Sequence, residues 1–159
     1  MNTRDFENEI KIHIEARYPI LWLTSFEERR VERILEKLAE EMKFSHWTWS
    51  VSRGLCGGEK KKREPMGREK ILAVIEEKIL KSEDVNHLFL LKDIASYFTS
   101  HEFLRRFRDL PAIIDENRAL NTICILSPTL GEIPPELEED IIVLELALPD
   151  YDEIAELVQ

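Results

Sequence analysis

Five apolar segments along the chain have the length and patterning of β-strands. Four are continuous apolar runs, which is typical of strands covered on both faces of a sheet. These four are residues 19–24, 87–92, 122–126 and 141–146. The fifth segment, residues 46–51, alternates instead and places Trp47, Trp49 and Val51 on one side. Alternation predicts a strand with one covered face, so we expect it near the edge of the sheet.

The segments around these strands show the 3.6-residue spacing of amphipathic helices. Helices are predicted over residues 2–16, from Ser25, over residues 67–81, from Thr99 and after Pro149, with one helical turn at 134–139. Ser25 with Glu28 and Thr99 with Glu102 have the spacing of capping boxes, and Pro111 is predicted to kink or restart its helix. The alternation predicts an α/β fold, in which helices cover both faces of a parallel sheet as three α/β/α layers.

Length and composition indicate one domain, residues 1–159, with a well-solvated surface. Apolar residues make up 43% of the chain and charged residues 34%, which suits one core of ordinary size. The net charge of −10 repels phosphate backbones and makes nucleic acid an unfavourable partner. No apolar run reaches the length of a signal peptide or a membrane span, so we expect a cytoplasmic protein without a membrane partner.

The cysteines and histidines form no recognisable metal-binding or reactive pattern. Cys56 and Cys124 give neither a disulfide framework nor a zinc spacing, and Cys124 is expected in the core because it lies in an apolar run. The four histidines are scattered, and no Ser/His/Asp or Cys/His arrangement is visible. We therefore predict no metal ion and no catalytic residue in this domain.

Residues 52–67 break all periodicity and predict one long flexible loop. A basic island lies in and beside this loop, on an otherwise acidic protein, and consists of Arg53, Lys60, Lys61, Lys62, Arg63 and Arg68. Together with Trp47 and Trp49 on the preceding strand, it is the best candidate for contact with an acidic surface or a phosphate chain. The alternative is a solvated crossover without a partner. Three further arginines, at 105, 106 and 108, are expected to pair with neighbouring carboxylates.

The end of the first strand is where a nucleotide-binding α/β domain would hold phosphates. Such a domain places glycines there, so that backbone N–H groups and a helix N-terminus reach the phosphates. The segment from Thr24 to Arg30 contains no glycine. Ser25 is expected to cap the helix, while Glu27 and Glu28 put negative charge where phosphate would lie. The sequence therefore predicts that no nucleotide binds here.

Two further strand ends carry polar residues that a nucleotide site could use. Asp93 follows the third strand, as the acidic residue that holds Mg²⁺ does in a Walker B strand. Ile94 stands where hydrolytic enzymes place a glutamate, so we expect Asp93 to cap a loop or to pair with Lys92. Ser127 follows the fourth strand and is expected to be a turn residue before Pro128. No cofactor is predicted for this domain.

Several segments resemble the AAA+ ATPases of the chloroplast open reading frame forty-six type, which occur in plastids, cyanobacteria and other prokaryotes. These segments are ARYPILWLTSFEERRVERIL, HLFLLKDIASYF and TICILSPTLGEIPPELEEDIIVLELALPDYDEI. The resemblance implies an N-terminal AAA+-like domain without a Walker A loop, whose five strands have the order 5-1-4-3-2. It places residues 52–67 where active modules often line the pore of a ring. It also implies a catalytic AAA+ module, absent from this chain, which binds ATP and magnesium.

The function that we expect from these observations is non-catalytic assembly or regulation of a AAA+ ATPase. The partners would be the catalytic module of the same polypeptide, neighbouring subunits of a homo-oligomer or an adaptor, in the cytoplasm or the plastid stroma. The chain ends inside a helical pattern, so we expect it to be part of a longer protein. Two alternatives stay open: an ATPase whose phosphates are held by residues 57–60, and a nucleic-acid-binding module that uses the basic residues of 59–68.

Overall fold

A single mixed sheet of seven strands lies at the centre of the computed structural model, which describes residues 1–58 and 62–148. Its strands are β1 (Ile20–Thr24), β2 (Ser45–Ser50), β3 (Gly54–Gly57), β4 (Lys62–Glu64), β5 (His87–Lys92), β6 (Asn121–Ser127) and β7 (Ile141–Glu145). Their order across the sheet is β4-β3-β2-β5-β6-β1-β7. The five strands expected from the sequence are neighbours within it, in the order β7-β1-β6-β5-β2, and pair in parallel.

The sheet is larger than the expected five-stranded one and is not purely parallel. Residues 52–67 contain β3 and β4, which extend the sheet beyond β2 in antiparallel pairing. The prediction of a flexible loop is therefore wrong for the described part of this segment. Gly54, with a φ of +71°, allows the chain to turn back after β2. The backbone groups on the outer side of β2 then find partners in β3 instead of water.

Helices cover both faces of the sheet in the three layers that the alternation predicted. The helices are α1 (Thr3–Glu15), α2 (Glu28–Met42), α3 (Arg68–Lys81) and α4 (His101–Glu116), with short 3-10 helices at Ile94–Thr99 and Pro135–Leu137. Helices α1 and α2 pack on one face, and α3, α4 and the first 3-10 helix pack on the other. None of the described helices combines the length and apolarity that crossing a bilayer requires. The helix expected after Pro149 lies outside the described residues.

Alternate side chains of the central strands enter two separate hydrophobic cores. In β1, Ile20 and Trp22 face the α3 and α4 side, whereas Leu21 and Leu23 face α1 and α2. This double burial explains why β1 reads as a continuous apolar run. Cys124 is fully buried, as expected for a core residue, and burial raises the pKa of its thiol to about 12.

One of the two edges of the sheet differs from the prediction. β2 is an interior strand, because β3 pairs with its outer side, and Val51 lies beyond the strand with 68% of its surface exposed. β7 forms the other edge, as the implied strand order has it, and its residues range from buried Ile141 and Leu144 to exposed Val143 and Glu145. An apolar run thus marked an edge strand here, because α1 and β1 cover only part of it.

Helix starts lie slightly later than the two predicted capping boxes place them. α2 begins at Glu28, and the hydroxyl of Ser25 accepts a hydrogen bond from the N–H of Glu27 (2.9 Å) in the turn before the helix. α4 begins at His101, and its cap is Ser100, whose hydroxyl accepts from the N–H of Phe103 (3.4 Å). Both capping boxes are therefore wrong, because the Ser25 hydroxyl closes the turn before α2 and the Thr99 hydroxyl donates to the carbonyl of Ser96 (3.2 Å) in the preceding 3-10 helix.

Pro111 lies inside α4, which continues through it without a restart. A proline at this position removes the N–H that the carbonyl of Phe107 would accept from. Pro111 and its neighbours Leu110 and Ile114 are buried. We infer that packing of this face offsets the lost hydrogen bond.

Two histidines in the sheet give the fold a pH dependence. Burial lowers the pKa of His87, whose ring stacks on Phe89 and pairs with the Asn121 side chain (2.9 Å), and burial also lowers the pKa of His46. Unfolded histidines bind protons below about pH 6.5, while these two resist protonation in the fold. Stability is therefore fully present above that pH and falls as the pH drops further.

We expect His87→Gln to flatten this acid-side loss of stability. Urea unfolding followed by circular dichroism, at intervals from about pH 8 to about pH 5, measures the slope. The matched control is His101→Gln, at an exposed position. An identical slope in wild type and His87→Gln would show that His87 does not contribute.

Candidate functional site at the carboxyl ends of the strands

The three polar residues singled out at the strand ends lie together at the carboxyl ends of β1, β5 and β6. Thr24 pairs with Ser127 at the ends of β1 and β6, and Lys92 of β5 pairs with Leu126. Beyond them, the N–H of Ser25 donates to the carbonyl of Ser127 (3.1 Å), and the N–H of Asp93 donates to that of Leu126 (2.9 Å). Ser25, Asp93 and Ser127 therefore follow neighbouring strands, which is where α/β folds bind ligands.

The turn between β1 and α2 leaves little room for a phosphate group. Thr24 and Ser25 are buried, and the Ser25 hydroxyl already accepts from the N–H of Glu27. The carbonyl of Glu27 accepts from the N–H groups of Arg30 and Val31 at the start of the helix. Because no residue here is a glycine, the backbone cannot approach a ligand as closely as a phosphate-binding loop does.

A buried lysine closes the same site from the neighbouring strand. Lys92 of β5 contacts two carboxylates at the start of α2, those of Glu28 (3.1 Å from Nζ) and Glu32. Burial lowers the pKa of Lys92, but the hydrogen bonds from Glu32 and Glu28 outweigh it, so the pKa lies above its ordinary value. The Lys92 ammonium group, which could bind phosphate, is thus paired with the carboxylates of Glu28 and Glu32. The pairing of Lys92 with Asp93 is not observed, because Asp93 lies beyond β5 in a left-handed backbone conformation while Lys92 is held by the two glutamates.

Asp93 has lost the surroundings that a magnesium-binding carboxylate needs. It is exposed, has a φ of +59° and precedes the first 3-10 helix, but its side chain makes no capping hydrogen bond to that helix. Ile94, at the position of the catalytic glutamate in hydrolytic enzymes, is fully buried in the core. A buried apolar side chain cannot orient an attacking water.

Ser127 has a structural contact that the sequence did not reveal. Its hydroxyl accepts a hydrogen bond from Nε1 of the buried Trp22 (2.8 Å) and donates to the carbonyl of Thr129 (2.8 Å). Both roles of the hydroxyl near the strand end are therefore occupied by the protein itself. The result agrees with a turn residue rather than a ligand-binding residue.

Arg30 connects three separate segments at this edge and was not identified from the sequence. Its Nη1 donates to Glu27 Oε2 (2.6 Å) and to the carbonyl of Ala147 (3.0 Å), and its Nη2 contacts the hydroxyl of Thr3. The first turns of α1 and α2 are thereby joined to the chain after β7. Only 12% of the Arg30 side chain is exposed, so these bonds are largely protected from water.

The basic island lies at the lateral edge of the sheet formed by β3 and β4, on and beside that hairpin. Arg63 Nε donates to the carbonyl of Arg53 (2.9 Å), and both residues, like Lys62, are exposed. None of the ion pairs in the described part of the chain involves these three cations. Lys60 and Lys61 lie outside the described residues. On α4, Arg105 pairs with Asp109 as expected, whereas the ion pairs of the described residues include neither Arg106 nor Arg108.

The aromatic residues next to this island face the core. Trp49 is fully buried, and its Nε1 donates to the carbonyl of Met66 (2.8 Å). Trp47 is half-buried, with Lys78 Nζ 3.8 Å from the centre of its ring. Arg68 lies over the ring of Tyr97 at 4.9 Å. The two tryptophans thus lie on the face of β2 on which α3 packs.

The described residues contain no group of three or more His, Cys, Asp or Glu side chains that could hold a metal ion. The chemistry that remains at the strand ends is that of closed ion pairs and satisfied hydroxyl groups. The arrangement can position elements of the fold.

Comparison with known sequences identifies related proteins. Residues 6–146 match the model of the family described as SpoVK-like AAA ATPase, N-terminal domain. The chain is 31% identical over 156 residues to the "Uncharacterized AAA domain-containing protein ycf46" of Trieres chinensis, and 27% identical to that of Guillardia theta. These matches cover 95% and 94% of this chain, which spans 30% and 29% of the two relatives.

Comparison with solved structures supports the fold. The HORMA:CdnC:Trip13 complex of E. coli MS115-1 contains a similar chain, with a TM-score of 0.60 and 11% identity. That match covers 89% of this chain and 48% of the other. The structure of Drosophila ORC bound to DNA is similar with a TM-score of 0.51 and 9% identity, over 96% of this chain and 94% of that one. At these identities the likeness concerns the fold alone.

Proposed function

The chain belongs to the family of SpoVK-like AAA ATPase N-terminal domains, and on this premise we propose that it is a non-catalytic assembly or regulatory domain of a AAA+ ATPase. Its partners are the catalytic module of the same polypeptide, neighbouring subunits of a homo-oligomer or an adaptor. ATP and magnesium belong to that catalytic module. The protein acts in the cytoplasm, or in the plastid stroma where the gene is plastid-encoded.

The observation that carries this proposal is the closed strand-end site. An ATP tail would need the space beside the first turn of α2, where Glu28 and Glu32 hold Lys92 and where Glu27 holds Arg30. Binding a triphosphate would break these pairs and bring its negative charge against three carboxylates.

We expect isothermal titration of this chain with Mg-ATP to give no binding heat at tens of micromolar nucleotide. The reason is that Glu27 and Glu28 put negative charge at the start of α2, where Lys92 and Arg30 are already paired with carboxylates. An established ATP-binding AAA+ protein titrated in the same buffer serves as the positive control. Saturable heat from this chain, abolished by Asp93→Ala, would contradict the proposal and favour the nucleotide-binding alternative.

The assembly role has its own test in a polypeptide of the relatives' length. Removing this domain is expected to change the oligomeric state or the ATPase rate of the remaining AAA module, measured by light scattering and phosphate release. A module that assembles and turns over identically without the domain would count against an assembly or regulatory role.

Nucleic-acid binding is a second candidate, favoured by the cations of the hairpin that lack carboxylate partners. Arg53, Lys62 and Arg63 present a local positive surface on a protein whose net charge is −10. Electrostatic binding to single-stranded DNA or RNA would weaken steeply with salt. Reversing all three to glutamate would abolish such binding, whereas the triple change to glutamate at Arg105, Arg106 and Arg108 serves as the control. We expect no salt-sensitive binding by the wild-type chain, because the net negative charge of the protein outweighs the positive charge of the hairpin.

The other alternative, an atypical phosphate loop at residues 57–60, gains no support. Gly57 is paired in β3, and a Cβ added there would lie 2.2 Å from the carbonyl oxygen of His46. At Gly58 the same construction meets the ring of Trp47 at 2.6 Å. These glycines therefore allow close packing against β2, which explains their presence without a phosphate.

A further inference from the structure

Three large apolar side chains from distant parts of the chain are exposed near the carboxyl ends of the strands. They are Met1, Phe26 and Leu148, with 43%, 74% and 70% of their surfaces accessible. We propose that they form a docking surface for the AAA domain that follows this domain in its longer relatives. This inference rests on the proposed function, since it identifies the surface by which the domain meets its own catalytic module.

The hydrogen bonds of Arg30 bring the three residues to the same place. Arg30 bonds both Glu27, the residue after Phe26, and Ala147, the residue before Leu148. The N–H of Ala147 in turn donates to the carbonyl of Met1 (2.9 Å). Each exposed side chain is therefore within one residue of the same small network. We call Met1, Phe26 and Leu148 the clamp cluster.

The clamp cluster differs from the other exposed apolar residues of the domain. Ile12 on α1 and Leu80 on α3 are exposed too, but they lie on different helices on opposite faces of the sheet. Scattered apolar residues of that kind are normal on soluble proteins. The bonds of Arg30 instead bring the chain segments that carry Met1, Phe26 and Leu148 together, and exposed apolar residues grouped around an aromatic ring are typical of interaction sites.

The size of the cluster and the path of the chain indicate the occupant. Three side chains expose far less than the roughly 800 Å² per partner that a stable dimer of separate molecules buries. A partner on the same polypeptide needs much less, because the linkage gives it an effective concentration of about millimolar order. Leu148 belongs to the cluster and leads directly into residues 149–159, and this chain spans only 30% of the Trieres chinensis relative. A tethered AAA domain therefore fits better than a second copy of this chain.

The test is hydroxyl-radical footprinting of two proteins, with modification of each side chain measured by mass spectrometry. One is the 159-residue chain. The other is a full-length polypeptide in which this chain replaces the N-terminal 30% of the Trieres chinensis relative. Modification of Phe26 and Leu148 is expected to fall about threefold or more in the joined polypeptide, because docking excludes water from both side chains. Leu80 and Ile12 are the internal controls and should be modified equally in both.

A second arm places the double change Phe26→Ser and Leu148→Ser in the joined polypeptide, with Leu80→Ser as the matched control. The double variant should raise modification of Met1 to its level in the free chain, and the control should leave it low. Equal modification of Phe26 with and without the AAA domain would overturn the inference. Protection that grows with the concentration of the free chain would overturn it too, since the occupant would then be a second copy.

These results separate the inference from the proposed function. If Phe26 stays unprotected while removal of the domain changes the oligomeric state or the ATPase rate, the domain has an assembly role through another surface. If Phe26 is protected and removal changes neither, the docking surface stands and the regulatory role fails.

Discussion

Replacing Trp22 by alanine is expected to lower the free energy of unfolding by about 4 kcal/mol, within the range seen for large buried aromatic side chains. Trp22 is fully buried in the core on the α3 and α4 side and meets Phe98 edge-on, with 6.5 Å between ring centres. The truncation leaves a cavity between β1 and the first 3-10 helix and removes the hydrogen bond from Nε1 to Ser127. Urea unfolding followed by far-ultraviolet circular dichroism measures the loss.

Two variants separate packing from hydrogen bonding at this position. Ser127→Ala keeps the Trp22 ring but leaves its buried Nε1–H without a hydrogen-bond acceptor, which should cost about 1–3 kcal/mol of stability. Leu80→Ala removes a side chain that is 60% exposed and should change stability by less than about 0.5 kcal/mol. A Trp22→Ala variant as stable as Leu80→Ala would show that Trp22 is not packed in the core on the α3 and α4 side as described.

Replacing Gly54 by alanine is expected to break the pairing of β3 with β4 and to cost about 3 kcal/mol or more, combining a left-handed backbone penalty with a steric clash. Gly54 has a φ of +71°, and a Cβ there would lie 2.2 Å from the carbonyl oxygen of Glu64. Because that neighbour is backbone, the hairpin must shift as a whole. Hydrogen exchange should accelerate over residues 54–57 and 62–64 while β1, β5 and β6 keep their protection.

Gly131→Ala is the matched control for this change. A Cβ at Gly131 would meet only the ring of Trp22, at 3.9 Å, which is ordinary contact. We expect its stability and its exchange pattern to match those of the wild type. Unchanged exchange in Gly54→Ala would mean that the hairpin does not depend on this glycine.

The hairpin also shows why part of the sheet escaped prediction. β3 has the sequence GLCG and β4 has KRE, so neither carries the alternation that marks a strand. They are strands because the outer side of β2 offers unpaired backbone groups, and because Leu55 packs into the core beside Trp49. Such a strand depends on its neighbour in space, which local sequence does not specify.

The strand-end site was better predicted in composition than in its contacts. The absence of glycine and the presence of Glu27 and Glu28 were legible directly, because a phosphate loop has strict local requirements. The ion-pair partners of these residues could not be read from the sequence. Asp93 was expected to cap a loop or to pair with Lys92, yet Lys92 pairs with glutamates of α2, which only the packing of α2 beside β5 brings within reach.

Local patterning thus specified the elements of this protein: the five parallel strands, the four described helices, the double burial of β1 and the loss of a phosphate loop. Periodicity and glycine content are properties of adjacent residues, so they can be read in order along the chain. The contacts between distant segments at the carboxyl ends of the strands were decided only by the tertiary structure. Arg30 joins Thr3, Glu27 and Ala147, and Trp22 meets Ser127 across two strands, because the parallel sheet brings residues more than a hundred positions apart to one edge.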